Sequence, residues 1–185
     1  MVPSTLRQFF QIGRCAFWLR RALEPFQVMR WAIGGYGIPA PSIVKKHVIR
    51  RFIPRGSIFV ESGTYLGETS RFFRRRGHDV VTIEVHKPIY DLLAPRLTKL
   101  GITALLGDSG TLLPDVLQRN SSHSIFLWLD GHYSAGITGQ APGYETPILK
   151  ELDAIHRFLS GTSNARLVIA STMFDALAPQ PTIRP

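Results

Sequence analysis

One short stretch of this chain, residues 59–67 with the sequence FVESGTYLG, constrains the fold more than any other. An apolar run leads directly into an acid, Glu61, and then into a turn that contains Gly63 and Gly67 and opens a helical pattern. Glycine lets the backbone pass close to a ligand, and a helix start offers unpaired N–H groups to it. The stretch is typical of a nucleotide site, although a tight strand-to-helix turn alone also explains both glycines.

After residue 41 the sequence alternates between strand patterns and helix patterns. Strands are predicted at Ser57–Val60, Val80–Glu84, Ile102–Leu106, Ser124–Leu129 and Arg166–Ala170. Helices are predicted at Ser42–Phe52, Glu68–Arg76, Pro88–Leu100, Thr111–Gln118 and Pro147–Leu159. The fourth strand is apolar from Ile125 to Leu129, as in a central parallel strand covered on both faces. This alternation predicts a three-layer, Rossmann-like α/β fold with a mainly parallel, doubly wound sheet.

Glycine and proline positions divide the chain into three parts. A Gly/Pro cluster at residues 34–41 separates a basic amphipathic helical extension and linker, residues 1–40, from a folded domain, residues 41–175. Residues 176–185 form a proline-rich tail, and proline cannot continue the interior of a sheet. We therefore expect one folded body whose sheet is incomplete at its C-terminal end.

The positive charge of the chain is concentrated near its N-terminus. Residues 1–56 hold ten of the 22 Lys and Arg residues but only one of the 13 Asp and Glu residues, and the rest of the chain is balanced. An enzyme that acts on nucleic acid would carry positive charge on its active face. A nucleic-acid partner is therefore not expected.

Residues 1–33 mix aromatic side chains with arginines. The arginines interrupt every window long enough to span a bilayer, and no secretory cleavage pattern is present. The simplest expectation is a helix packed on the domain; peripheral contact with an anionic membrane or a partner protein is an alternative, and disorder or organellar targeting is a third. Cys15 is the single cysteine, which is compatible with a reducing compartment. We expect a cytoplasmic protein, with membrane association through residues 1–33 as the alternative.

Acidic residues follow the first four predicted strands. Glu84 ends the second strand, at about the distance that lets its carboxylate reach a ribose bound over the glycine turn. Gly107-Asp108-Ser109 follows the third strand, and Asp130-Gly131-His132-Tyr133 follows the fourth. The first turn reads Glu-x-Gly-x-x-x-Gly rather than the Gly-x-Gly-x-x-Gly of dinucleotide sites. In this order and at these strand ends, residues 42–171 resemble the class I S-adenosylmethionine-dependent methyltransferases.

The resemblance implies a cofactor, a reaction and a set of binding residues. The cofactor would be S-adenosylmethionine, and the reaction a methyl transfer to oxygen or nitrogen of a small-molecule acceptor. The acid after the second strand holds the ribose hydroxyls in that family, and the residues after the third strand contact adenine. The implied cofactor-binding residues here are Glu61, Gly63, Thr64, Gly67, Glu84, Asp108, Ser109 and Asp130.

The segment after the fourth strand carries the candidate catalytic residues. His132 is the candidate general base, because imidazole can take a proton from a hydroxyl near neutral pH. A loop residue that hydrogen-bonds the backbone is an equal alternative for His132. Tyr133 is a weaker candidate, whereas Asp130 directly after an apolar strand is hard to explain by core packing. The glycine-containing residues 134–145 are placed to close over a substrate or to form a plain connection.

Three further expectations complete the prediction. Some methyltransferases hold a metal with an acidic pair after the fifth strand, but Ser171 and Thr172 stand there, so no metal is expected. Four isolated histidines are predicted to lie on the surface: His78, His86, His123 and His156. The alternatives in function are a catalytically inactive, truncated methyltransferase-like binding protein and, with less support from the turn spacing, an NAD-dependent oxidoreductase.

Overall fold

The computed structural model describes residues 22–37, 40–131 and 147–171 of the chain. Its strands are β1 (Ile58–Ser62), β2 (Asp79–Glu84), β3 (Ile102–Leu106), β4 (Ser124–Leu129) and β5 (Arg166–Ser171). A first helix, α1, occupies residues 22–33. The others are α2 (Ser42–Phe52), α3 (Glu68–Arg74), α4 (Lys87–Thr98), α5 (Ser109–Arg119) and α6 (Ile148–Gly161).

The described strands form a single parallel sheet in the order β3-β2-β1-β4-β5. The chain moves outward from β1 through β2 to β3, then returns to the other side of β1 for β4 and β5. This reversal creates a crevice at the carboxyl ends of β1 and β4, where α/β proteins of this topology bind ligands. In register, Glu61 lies opposite Thr82 on one side and Trp128 on the other.

Helices cover both faces of the sheet. Phe59 and Trp128 belong to a core cluster that α2, α3 and α4 cover on one face, and the Phe59 ring stacks on Phe73 at 4.1 Å between ring centroids. Val60 and Leu127 belong to a second cluster, which α5 and α6 cover on the other face. Successive strand residues point to opposite faces, so the central strands must be apolar on both sides. The predicted three-layer, Rossmann-like fold is confirmed.

The predicted elements are all present, with small shifts at their ends. α2, β3 and β4 have the predicted bounds, and the other elements differ by one or two residues at an end. β1 runs on through Glu61 and Ser62, which pair with β2 and β4, and buried hydroxyl groups donate hydrogen bonds to the Glu61 carboxyl group. α5 begins at Ser109, two residues earlier than predicted, because the Asp108 side chain caps it.

The described part of the N-terminal extension is helical. Its residues Phe26, Met29 and Ile33 are exposed, and the Trp31 indole Nε1 donates a hydrogen bond to the Gly37 carbonyl just beyond the helix end at 2.6 Å. None of the helices described has the length and apolar character needed to cross a bilayer. Residues 1–21 and the tail at 176–185 lie outside the described residues.

Candidate functional site

The turn after β1 is held tightly against its neighbours. The N–H groups of Gly63 and Thr64 both donate to the carbonyl of Ile83, at 3.0 and 3.2 Å. Gly63 has a φ of 86°, and a Cβ atom there would lie 2.6 Å from the Asp130 carbonyl oxygen. Gly67, with a φ of 66°, precedes α3 and faces the Leu97 side chain. The left-handed backbone at both positions, together with the close approach of Asp130 to Gly63, therefore accounts for the two glycines whether or not a ligand approaches them.

Glu84 at the end of β2 lies directly against this turn. Its Oε2 accepts a hydrogen bond from the Tyr65 N–H at 3.0 Å, and its Oε1 accepts one from the His86 N–H at 2.8 Å. Burial raises the pKa of the Glu84 carboxyl group, while the hydrogen bonds from His86 and Tyr65 act in the opposite direction. The expected proximity of this acid to the glycine turn is therefore found.

The segment after β3 joins the same edge. The Gly107 N–H donates to the Glu84 carbonyl at 2.9 Å, which ties the β3 end to the β2 end. The Asp108 side chain accepts a hydrogen bond from the Gly110 N–H at 3.1 Å and so caps α5. Ser109 is buried and donates to Glu151 on α6 at 2.6 Å. Asp108 and Ser109 thus have structural roles at the position where an adenine contact is predicted.

Glu61 is an interior group in this arrangement. It is only 2% exposed, and its Oε2 accepts hydrogen bonds from the hydroxyl groups of Ser70 and Thr82. Burial raises the pKa of Glu61 to about 8; these two hydrogen bonds lower it, and the nearby Asp130 raises it. The Thr64 hydroxyl is hydrogen-bonded to that of Thr82 at 2.7 Å. The Glu61 carboxyl group therefore stabilises the turn through buried hydrogen bonds and does not offer a free carboxylate to a ligand.

Asp130 follows β4 and meets the turn from the other side. Its N–H donates to the carbonyl and the hydroxyl oxygen of Ser62, at 3.1 and 3.2 Å. Asp130 also lines a cavity of about 220 Å³, which we call the polar cavity. Its other lining residues come from the α2 region, α3 and β4: Ala40, Ser42, Lys45, Lys46, Ile49, Thr69 and Trp128.

The polar cavity combines both signs of charge beside the first turn of α3. Lys46 is only 8% exposed and lies 3.7 Å from the Glu68 carboxylate, whereas Lys45 is half-buried. A lysine is rarely buried to this extent unless an opposite charge accompanies it. These two lysines were not among the predicted site residues, because nothing in a short basic run at residues 45–46 indicates which element it will face.

The structure brings most, but not all, of the predicted site residues together. The cofactor-binding set lies at one edge of the sheet, around the ends of β1, β2, β3 and β4. His132 and Tyr133, the predicted catalytic side chains, lie outside the described residues, as do the segment at 134–145 and Thr172. Their roles stay predictions.

His86 is a site residue that the sequence interpretation missed. It was predicted to lie on the surface, but it is half-buried, and its Nδ1 is buried without a hydrogen-bond partner in the part of the chain described. Its position two residues after the strand-ending acid was the available signal. His78 is also half-buried, and burial lowers its pKa, whereas His123 and His156 are exposed as predicted.

Comparison with known proteins leaves the family of this chain open. No family model matches it, and no curated protein is significantly similar to it. Across the described ranges, no group of three or more His, Cys, Asp or Glu side chains is arranged to hold a metal ion. The functional argument therefore depends on the geometry of the strand ends and on the resemblance of their motifs.

Proposed function

We propose that this protein is an S-adenosylmethionine-dependent methyltransferase that acts on an oxygen or nitrogen atom of a small-molecule acceptor. One observation carries the proposal. The turn after β1, the acid ending β2 and the turn after β3 are hydrogen-bonded to one another through Glu84, whose carboxylate binds the Tyr65 amide and whose carbonyl binds the Gly107 amide. An adenosine bound at the carboxyl edge of such a sheet would meet all three.

The residues present fit the chemical groups of this cofactor. Glu84 uses each carboxylate oxygen for one backbone amide, which leaves acceptor capacity on both oxygens for ribose hydroxyls. In the polar cavity, Asp130 and Lys46 carry charges opposite to those of an ammonium and a carboxylate group. The cavity thus suits the α-amino acid group of the cofactor, next to the start of α3. Its volume of about 220 Å³ is enough for only this part of the cofactor.

The chain's own residues would work mainly by placement. When held by Glu84 and the residues of the polar cavity, S-adenosylmethionine would supply an electrophilic methyl group, with the electrons of the broken carbon–sulfur bond left on sulfur. The protein must hold the acceptor in line and take up its proton. His132 is the proposed base and Tyr133 the weaker candidate, while Asp130 is fixed at the rim of the polar cavity by the Ser62 hydrogen bonds.

The proposed setting is a reducing, cytoplasmic one with a small-molecule substrate and no nucleic acid. Contact of residues 1–33 with a membrane surface or a partner protein is part of the proposal for the extension. The exposed Phe26, Met29 and Ile33 in α1 support such a contact.

A calorimetric titration of the full chain tests the proposed cofactor. S-adenosylmethionine and S-adenosylhomocysteine are each expected to bind with a stoichiometry of one ligand per chain, and titration with NAD is expected to release no heat. Saturable binding of NAD, without binding of S-adenosylmethionine or S-adenosylhomocysteine, would instead support the oxidoreductase alternative. The proposal would be overturned if neither S-adenosylmethionine nor S-adenosylhomocysteine binds.

A non-catalytic binding protein is the second candidate, and one observation favours it. The contacts of Gly63 with Asp130 and of Gly67 with Leu97 explain both glycines without any turnover. Incubation with a methyl-labelled donor and a panel of phenols, amines and carboxylates separates the two. Labelled product in any reaction supports the enzyme, whereas tight donor binding without product across the panel supports the binding protein.

A further inference from the structure

A large apolar groove lies beside the proposed donor site. It has a volume of about 560 Å³ and lies between α1, α2 and the β4–β5 face of the sheet. Its walls are mostly hydrocarbon, including Val44, Val48, Phe52, Phe126, Val168 and Ala170. The volume falls within the range of small-molecule sites, which are concave and mostly apolar.

The apolar groove adjoins the polar cavity. The two share the lining residues Ala40, Lys45, Ile49 and Trp128. These shared residues bring the apolar region along the sheet next to the charged region at the carboxyl end of β4, and we call the two regions together the amphipathic space. Lys45 lies at the junction, so a ligand in the groove would meet a cation before it reached Asp130.

Trp128 provides an independent indication of a ligand. The residue is 7% exposed and stands in the wall that the two cavities share, and its indole N–H has no hydrogen-bond partner in the described part of the chain. Buried N–H groups are nearly always paired, and an unpaired one destabilises the folded protein. A hydrogen-bond acceptor on a ligand in contact with this wall would satisfy the donor.

We propose that this space binds an amphipathic small molecule with an apolar body and one acidic end group, a carboxylate or a phenol. The apolar body lies in the groove, and the acidic end lies at the junction near Lys45 and Trp128. If the proposed methyl transfer holds, on which this part of the inference rests, that molecule is the acceptor. Its reactive end then lies beside the cavity assigned to the amino acid group of the donor.

Binding of decanoate to the full chain, followed by calorimetry and tryptophan fluorescence, tests this site. Decanoate is expected to bind at least tenfold more tightly than decyltrimethylammonium, which has the same chain and the opposite charge, and than butyrate, which lacks the apolar body. Val48→Glu places a negative charge in the groove and should weaken decanoate binding at least tenfold. Leu159→Glu is the matched control, because Leu159 is 45% exposed and Val48 is 48% exposed, but Leu159 lies on α6 across the sheet.

The outcomes separate this inference from the proposed function. Decanoate binding without S-adenosylmethionine binding keeps the site and removes the methyltransferase. The reverse result removes the acceptor site and keeps the enzyme. Equal loss of decanoate binding in Val48→Glu and Leu159→Glu would overturn the site. The site would also be overturned if decanoate does not bind and sedimentation velocity shows a dimer that Val48→Glu dissociates, because a second copy of the chain would then cover the groove.

Discussion

At the scale of single residues, the buried carboxyl group of Glu61 makes stability depend on pH. Its pKa in the folded protein is about 8, against 4.5 as the ordinary value, chiefly because burial disfavours the charged form. The folded state therefore keeps a proton that the unfolded chain releases above pH 4.5. The free energy of unfolding should fall as pH rises from about 4.5 to about 8, by up to about 5 kcal/mol at about 1.4 kcal/mol per pKa unit.

Glu61→Gln should remove this contribution, because the amide keeps an acceptor for Ser70 and Thr82 but cannot ionise. Urea denaturation at pH 5, 6.5 and 8 measures the effect. The variant should lose less stability than the natural chain between pH 5 and pH 8, and Asp79→Asn, at the exposed start of β2, should follow the natural chain. Parallel pH profiles for Glu61→Gln and the natural chain would contradict a raised pKa.

A comparison of Gly63 and Gly77 separates the energetic cost of a steric contact from the cost of the backbone conformation. The two have nearly equal φ values, 86° and 85°, but a Cβ at Gly63 would lie 2.6 Å from the Asp130 carbonyl oxygen, whereas one at Gly77 would meet no atom within 4 Å. Gly77→Ala should cost about 1–2 kcal/mol of unfolding free energy from conformation alone. Gly63→Ala should cost about 1–3 kcal/mol more. Equal losses in chemical denaturation would show that the contact between the two turns is not tight.

At the scale of elements, local sequence patterns predicted the strands and helices well. Each pattern depends on residues close in sequence, such as the apolar run of β4 or the Pro54–Gly56 break after α2. The site was predicted only in part. Lys46 and Asp130 line the same polar cavity because α2 packs over β4, and this packing depends on the tertiary arrangement, which periodicity does not report. The partial burial of His86 also depends on the tertiary arrangement.

The N-terminus of α5 shows how one cap defines an element. Asp108 accepts a hydrogen bond from the Gly110 amide, and its pairing with the half-exposed Lys150 at 3.8 Å contributes little. Asp108→Ala should lower the free energy of unfolding by about 1 kcal/mol, and Asp108→Asn by much less, since Asn also caps helices. Asp115→Ala, at an exposed position on the same helix, is the control for thermal denaturation. An equal effect of Asp108→Ala and Asp115→Ala would mean that the cap does not stabilise α5.

At the scale of the whole molecule, the proposed site joins the two halves of the sheet. β2 and β3 lie on one side of β1, and β4 and β5 lie on the other. The β2 and β3 ends meet at Glu84, whereas the β1 and β4 ends meet through Ser62 and Asp130. A ligand that contacts both groups would stabilise the folded domain as one unit, because unfolding either half would release it.

S-adenosylhomocysteine should therefore raise the stability of the entire domain. At a concentration 100 times its Kd, it should add about 2.7 kcal/mol to the free energy of unfolding. Glu84→Gln removes a charged acceptor and should raise the Kd about tenfold, so that the same concentration adds only about 1.4 kcal/mol. Asp79→Asn changes an acid at the other end of β2 and should keep the full increment. Denaturation with and without ligand decides the matter: an undiminished increment in Glu84→Gln would place the adenosine away from Glu84.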